Sequence, residues 1–228
     1  MSQSKSLIKL LLLAILTMAY AVTAFSQPST KNNSLAIERA DSLMRTVRDN
    51  SYPELRDADI RVRLFNSESD YFRTRFSFTR FVFGLKMRFF IEVNAKVFDL
   101  QAPQEGLRAI IAHELSHVLF MRQRNRIELL SLVRLASKNY TARFERQTDL
   151  QAISRGYASG LIEYRKWLYE HIPTASVEEK KRDYFSPEEI YAITEALKKR
   201  PELFMYWMKN VPMNLADIEN SSLQKQRP

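Results

Sequence analysis

The amino-acid sequence predicts an α+β fold in which a small, twisted, mainly antiparallel sheet precedes a mostly helical half. Two observations carry this. Between about residues 58 and 98, apolar side chains fall mostly at every second position, the period of a half-buried strand. From Pro103 onward they recur at intervals of three and four, the period of a helix packed along one side.

The elements follow in order. Residues 27–33 read as a polar lead-in. A helix is expected from Ser34, as N-cap, to about Asp49, with Leu35, Ile37, Leu43, Met44 and Val47 on or near one side. Pro53 interrupts it. Ile60, Val62 and Leu64 then alternate with Arg61 and Arg63, and a similar alternation continues from Phe72 to Phe83. Gly84 marks a turn, and the run from Lys86 to Val93 forms a further strand. Pro103 suits the first position of a helix whose apolar stripe holds Leu107, Ile110, Ile111, Leu115, Val118 and Leu119. Further helices are expected from Arg126 to Lys138 and from about Thr141 to Gly156 or Gly160. The capping box Ser186-Pro187-Glu188-Glu189 opens another, ending near Lys199. A last short helix with Leu203, Phe204, Tyr206, Trp207 and Met208 is expected to pack on the body, with a membrane- or partner-binding patch as the alternative use of its aromatic side chains.

A chain of 228 residues with 45% hydrophobic and 27% charged side chains is neither disordered nor a bundle of membrane spans. It has room for one domain, expected over 27–228. Lys5 and Lys9, the apolar run from Leu10 to Ala21 and the small residues Ala24 and Ser26 read as a signal peptide over 1–26. An uncleaved N-terminal anchor is the alternative. Either way the rest of the chain is expected to be exported, periplasmic or secreted. The absence of cysteine excludes disulfides, thiolate ligands and a lipid-modified N-terminal cysteine. The formal charge of +9 falls only by Lys5 and Lys9 when 1–26 is removed, which suits anionic neighbours such as a membrane surface. No nucleic-acid partner is expected, because no recognition motif accompanies the charge.

The chemistry centres on His113-Glu114-Leu115-Ser116-His117, inside the apolar helix. Residues four apart share a helix face, so His113 and His117 can aim both imidazoles at one metal ion, taken to be zinc. Glu114 is displaced around the helix, where its carboxylate can reach a metal-bound water and act as general base. Burying two imidazoles and a carboxylate in such a helix is costly unless they bind something. A hydrolytic zinc site needs a third protein ligand, and with three histidines in the chain this is His171 or a carboxylate. Phe120 and Gln123 stand where the extended histidine motif of the metzincins needs Gly and His. Glu145 is the stronger candidate. It lies four residues before Asp149 on a helix able to pack against the first, and Asp149 would hold the far nitrogen of His113 or His117.

Ala112 to Val118, with Phe144-Glu145-Arg146-Gln147-Thr148-Asp149-Leu150-Gln151-Ala152, resembles the gluzincin metallopeptidases of the HtpX and CAAX-prenyl-endopeptidase type. The likeness covers roughly Phe89 to Gly160 and is specific at the two helices. It implies a zincin-like domain, His113, His117 and Glu145 as zinc ligands, Glu114 as general base and proton shuttle, and Asp149 in support. The chain departs from that pattern at Ser116, where Gly is common, at Thr148, where Ala is usual, and in the short interval between His117 and Glu145. The resemblance is to the soluble, exported branch.

These readings converge on a zinc-dependent endopeptidase acting on envelope or extracellular proteins or peptides. The alternative is a catalytically silent zinc-binding relative serving as an envelope interaction module. Arg88 to Asn94 is the expected substrate-binding sheet edge, or else an interior strand. A donor for the transition-state oxyanion is expected downstream of Glu145, with His171 and Tyr157 as first candidates and Arg155 and Tyr164 as others.

Overall fold

The computed structural model describes residues 30–130 and 138–223. The chain divides into Met1–Asn32 and Asn33–Pro228, and the fold lies in the second unit. The expected signal peptide falls outside the described residues. Among those described, no helix is long and apolar enough to cross a membrane.

Helix α1 (Thr30–Ser51) begins four residues before the expected cap at Ser34. Its buried face is Ala36, Ala40, Met44 and Val47, one turn apart in succession, while Leu35 and Ile37 are exposed. A short 3-10 turn (Pro53–Leu55) follows and leads into β1 (Asp59–Leu64). Strand β2 (Phe72–Phe76) stops sooner than the alternation to Phe83 suggests. Ser77 accepts a hydrogen bond from the Arg80 N–H and caps a short helix, α2 (Phe78–Val82). Gly84 then turns the chain at φ +73°, a conformation that suits a residue without Cβ.

Strand β3 (Arg88–Val93) lies between the other two, parallel to β1 and antiparallel to β2. The sheet is therefore mixed rather than mainly antiparallel. Arg88 to Asn94 is the interior strand and not the free edge: Phe89, Phe90, Ile91 and Val93 are buried, as expected for a strand covered on both faces. The free edges among the described strands belong to β1 and β2.

A short helix α3 (Lys96–Asp99) leads to α4 (Gln104–Arg122), which carries the His-Glu-x-x-His run through the core. Helix α5 (Arg126–Leu130) follows; the rest of the helix expected up to Lys138 falls mostly outside the described residues. Helix α6 (Lys138–Ala152) ends earlier than expected, at a wide turn (Ile153–Tyr157) where Gly156 adopts φ +92°. The turn releases α7 (Ala158–His171), which crosses α4 so closely that a Cβ on Gly160 would stand 2.3 Å from the Glu105 carbonyl oxygen. Helix α8 (Thr174–Asp183) precedes α9 (Pro187–Lys199), whose Ser186/Glu189 capping box is fully formed. In α10 (Leu203–Lys209), Leu203 and Trp207 are buried, so this helix packs on the body, and α11 (Leu215–Leu223) closes the described chain. One hydrophobic core joins α1, the sheet, α4, α7 and α9. The architecture is α+β, a small mixed sheet with a helical majority.

Candidate metal centre

Nearly every side chain of α4 from Leu107 to Leu119 is buried, so the polar residues in its middle must be satisfied from neighbouring elements. Helix α6 supplies the partners. The Nε2 atoms of His113 and His117 lie 3.1 Å apart, and each is 3.1 Å from Oε2 of Glu145. These three residues form a group able to hold a metal ion. An ion bound at ordinary Zn–N and Zn–O lengths in tetrahedral geometry separates its ligands by about 3.3 Å, so the three atoms would spread by only a few tenths of an ångström. Three lone-pair atoms converging this closely, with Glu145 only 16% exposed, match a shared cation or proton between them.

The far side of each imidazole is also fixed. Nδ1 of His113 donates to Oδ1 of Asp149 at 2.7 Å, which leaves Nε2 directed at the shared point. Thr148 donates its hydroxyl hydrogen to the Phe144 carbonyl at 2.9 Å, and its oxygen faces Nδ1 of His117 at 3.4 Å. Thr148 thus takes the second supporting role that an alanine there could not. Asp149 is fully buried and accepts three further contacts: from Nη2 of Arg165 at 3.0 Å to Oδ1 and 3.2 Å to Oδ2, and from the Phe185 N–H at 3.1 Å. Burial by itself would raise the Asp149 carboxyl, but the charges of Arg165 and His113 outweigh it and hold it below the usual carboxylate range. Burial pulls the His113 imidazole down, yet the Asp149 and Glu145 carboxylates prevail and push it up to about 10. Against its own burial, Glu145 is held well below the usual range by the two histidines.

Glu114 leaves the ligand cluster and points to the sheet. Its Oε2 accepts from Oγ1 of Thr74 on β2 at 2.7 Å, which ties the carboxylate to a free strand edge. A cleft of about 30 Å³, room for about one water molecule, lies against His113 and Glu114. Its walls include Tyr164, Arg165 and Tyr184. The Tyr184 ring lies 5.7 Å from that of His113. Burial pushes its phenol up and the Glu145 charge adds to the effect, so the hydroxyl keeps its proton and remains a donor.

The two first candidates for the oxyanion donor lie elsewhere. Tyr157 exchanges a hydrogen bond with Ser51, and His171 stacks on Trp167 while its Nδ1 meets the Trp167 carbonyl at 2.7 Å. Neither lines the cleft. Both follow the turn at Gly156, where the change of direction carries Tyr157 towards α1 and His171 to the far end of α7. Arg155 is engaged by the Ser51 carbonyl and Glu54. Tyr164 does line the cleft, although its ring is packed against Phe72 and Trp167. Ser116 is buried, and its hydroxyl pairs with that of Tyr52 at 2.8 Å.

Sequence reasoning missed Thr74, Arg165 and Tyr184. Arg165 left a trace, since it falls on the buried stripe of α7 beside Leu161, Tyr164 and Leu168. Thr74 and Tyr184 left none. No protein-family model, curated protein or solved structure matches the chain.

Proposed function

We propose that this protein is a zinc-dependent endopeptidase. The observation that carries the reading is the triangle of His113, His117 and Glu145, whose far nitrogens are tied to Asp149 and Thr148, with a buried carboxylate next in sequence that is not part of it. Two imidazoles and one carboxylate suit zinc, whereas magnesium and calcium favour all-oxygen sets. Three protein ligands leave one coordination position open, as catalytic zinc sites do and four-ligand structural sites do not. Zinc, when bound, would supply Lewis acidity that polarises a carbonyl and makes water more acidic.

The chain's own residues have separable tasks. Asp149 and Thr148 keep both imidazoles in the tautomer whose Nε2 is bare. Glu114 takes a proton from the attacking water and returns it to the departing amine, and Thr74 holds its carboxylate in place. Tyr184 offers a hydrogen bond from its phenol, without losing the proton, to the oxygen on which charge develops. The free edge of β2 offers main-chain groups to an extended peptide, with Thr74 linking that edge to Glu114. The substrates are peptide bonds in envelope or extracellular proteins, in keeping with the apolar N-terminal run.

Elemental analysis and casein cleavage test this on wild type, Glu114→Ala and Glu145→Ala. Wild type should hold about one zinc per chain and cleave. Glu114→Ala should keep the metal and lose activity, and Glu145→Ala should lose the metal. A wild type that takes up no zinc refutes the reading. Zinc uptake without cleavage of casein or of envelope proteins refutes the enzyme and leaves the silent zinc-binding module.

A further inference from the structure

Immediately after β2 the chain builds a knuckle whose apolar side chains face outward. Phe78, Val82, Phe83 and Leu85 are 51%, 58%, 73% and 50% exposed, which is unusual for four large apolar residues within eight positions. The exposure is built into the fold. The Phe83 N–H donates to the Thr79 carbonyl, the Leu85 N–H to that of Arg80, and Gly84 makes the turn. From α5, Arg126 reaches across and donates to the carbonyls of Phe81 and Leu85, both at 2.7 Å. Below the turn the Phe81 ring is buried against Phe76. The backbone is therefore held while the apolar tips are turned to solvent.

Cations surround these tips. Arg80, Lys86, Arg124 and Arg126 make no ion pair among the described residues. The nearby acids are engaged: Asp57 in a two-bond pair with Arg122, and Glu128 by the Asn125 N–H. Beside the knuckle lies a cleft of about 640 Å³ lined by apolar Met87, Phe89, Met121 and Leu129 and by the cations Lys86 and Arg124 among others, its one acid, Asp57, being paired with Arg122.

We propose that this knuckle is a docking surface for anionic lipid, seating Phe78, Val82, Phe83 and Leu85 in the headgroup–acyl boundary of a bilayer. Apolar tips ringed by basic side chains supply the two signals that reversible membrane attachment requires, burial of apolar area and attraction to negative headgroups. A second copy of the chain suits the surface poorly, because a twofold contact would set one basic-bordered patch against another of the same charge. The knuckle begins two residues after β2 ends, so the strand edge beside Glu114 would run within roughly 15 Å of the bilayer surface, counting about 3.3 Å per residue. The docking itself does not depend on the metal centre.

The test uses the full chain and its lack of cysteine, which makes an introduced thiol unique. Phe83→Cys and, as control, Tyr191→Cys on α9 (63% exposed) are labelled with a polarity-sensitive fluorophore. They are mixed with vesicles of phosphatidylcholine alone or with an equal part of phosphatidylglycerol. The Phe83→Cys label should shift to the blue and be quenched by brominated acyl chains only on the anionic vesicles, while the Tyr191→Cys label stays aqueous. Lys86→Gln and Arg124→Gln should each lower the immersed-to-aqueous ratio of the Phe83→Cys label about fivefold, and added salt should do the same. A chain that sediments with vesicles while the Phe83→Cys label stays in water is held by its N-terminal apolar run, and that result overturns the proposal. A label already shielded without vesicles, in a concentration-dependent manner, overturns it in favour of self-association.

Discussion

Replacing Asp149 with Asn changes no volume and removes one charge, yet neither orientation of the new amide satisfies its surroundings. With the amide oxygen towards His113, the NH₂ group faces the Phe185 N–H and Nη2 of Arg165, which stand 3.1 and 3.2 Å from Oδ2 in the native protein. A buried donor set against a donor costs about 1–3 kcal/mol. The Arg165 guanidinium, itself 1% exposed, would also lose the carboxylate that balances it, a change worth about 3–5 kcal/mol where nothing relaxes. With the amide flipped, NH₂ faces Nδ1 of His113, moves the imidazole proton to Nε2 and blocks the atom that faces Glu145 and His117. Asp149→Asn should therefore weaken zinc binding about 10- to 100-fold and lower the stability of the metal-free protein. Competition against a chromophoric chelator at fixed pH reads the first effect, and urea unfolding without metal reads the second. An affinity within about threefold of wild type, with unchanged unfolding, would refute the claim that Asp149 orients His113.

Four further outcomes follow from the same geometry. The His113 pKa, raised from 6.5 to about 10, gives the metal-free fold a stabilisation that is complete below pH 6.5 and lost as pH rises towards 10, which urea unfolding across that range will read. Zinc, bound as proposed, would displace the same proton, so apparent affinity should rise about tenfold per pH unit from about pH 7 to about pH 9; a flat profile would contradict it. Gly160→Ala forces a Cβ against the Glu105 carbonyl oxygen and should destabilise by about 1–3 kcal/mol, lowering the thermal midpoint; an unchanged midpoint would mean that α7 is not seated as described. Tyr184→Phe should lower kcat about 100-fold or more with KM and zinc content nearly unchanged, whereas equal losses in a Tyr157→Phe control would remove Tyr184 from its role.

The sequence by itself determined what local geometry determines. Four-residue spacing puts His113 beside His117 and Glu145 beside Asp149 in any α-helix, and the Ser186 capping box needs only its own turn. What lay between distant segments was decided by tertiary packing. A two-residue alternation is the same in parallel and antiparallel strands, so it could not place β3 in the middle of a mixed sheet or leave the edge beside Glu114 to β2. The turn at Gly156 directs Tyr157 and His171 away from the cleft, and the run into α9 brings Tyr184 to it from 71 residues beyond His113 in the chain. Arg165 reaches Asp149, and Thr74 reaches Glu114, because helices and sheet bury one another's polar groups in pairs. Those pairings depend on how the apolar faces of the whole chain close together, and no local pattern encodes that.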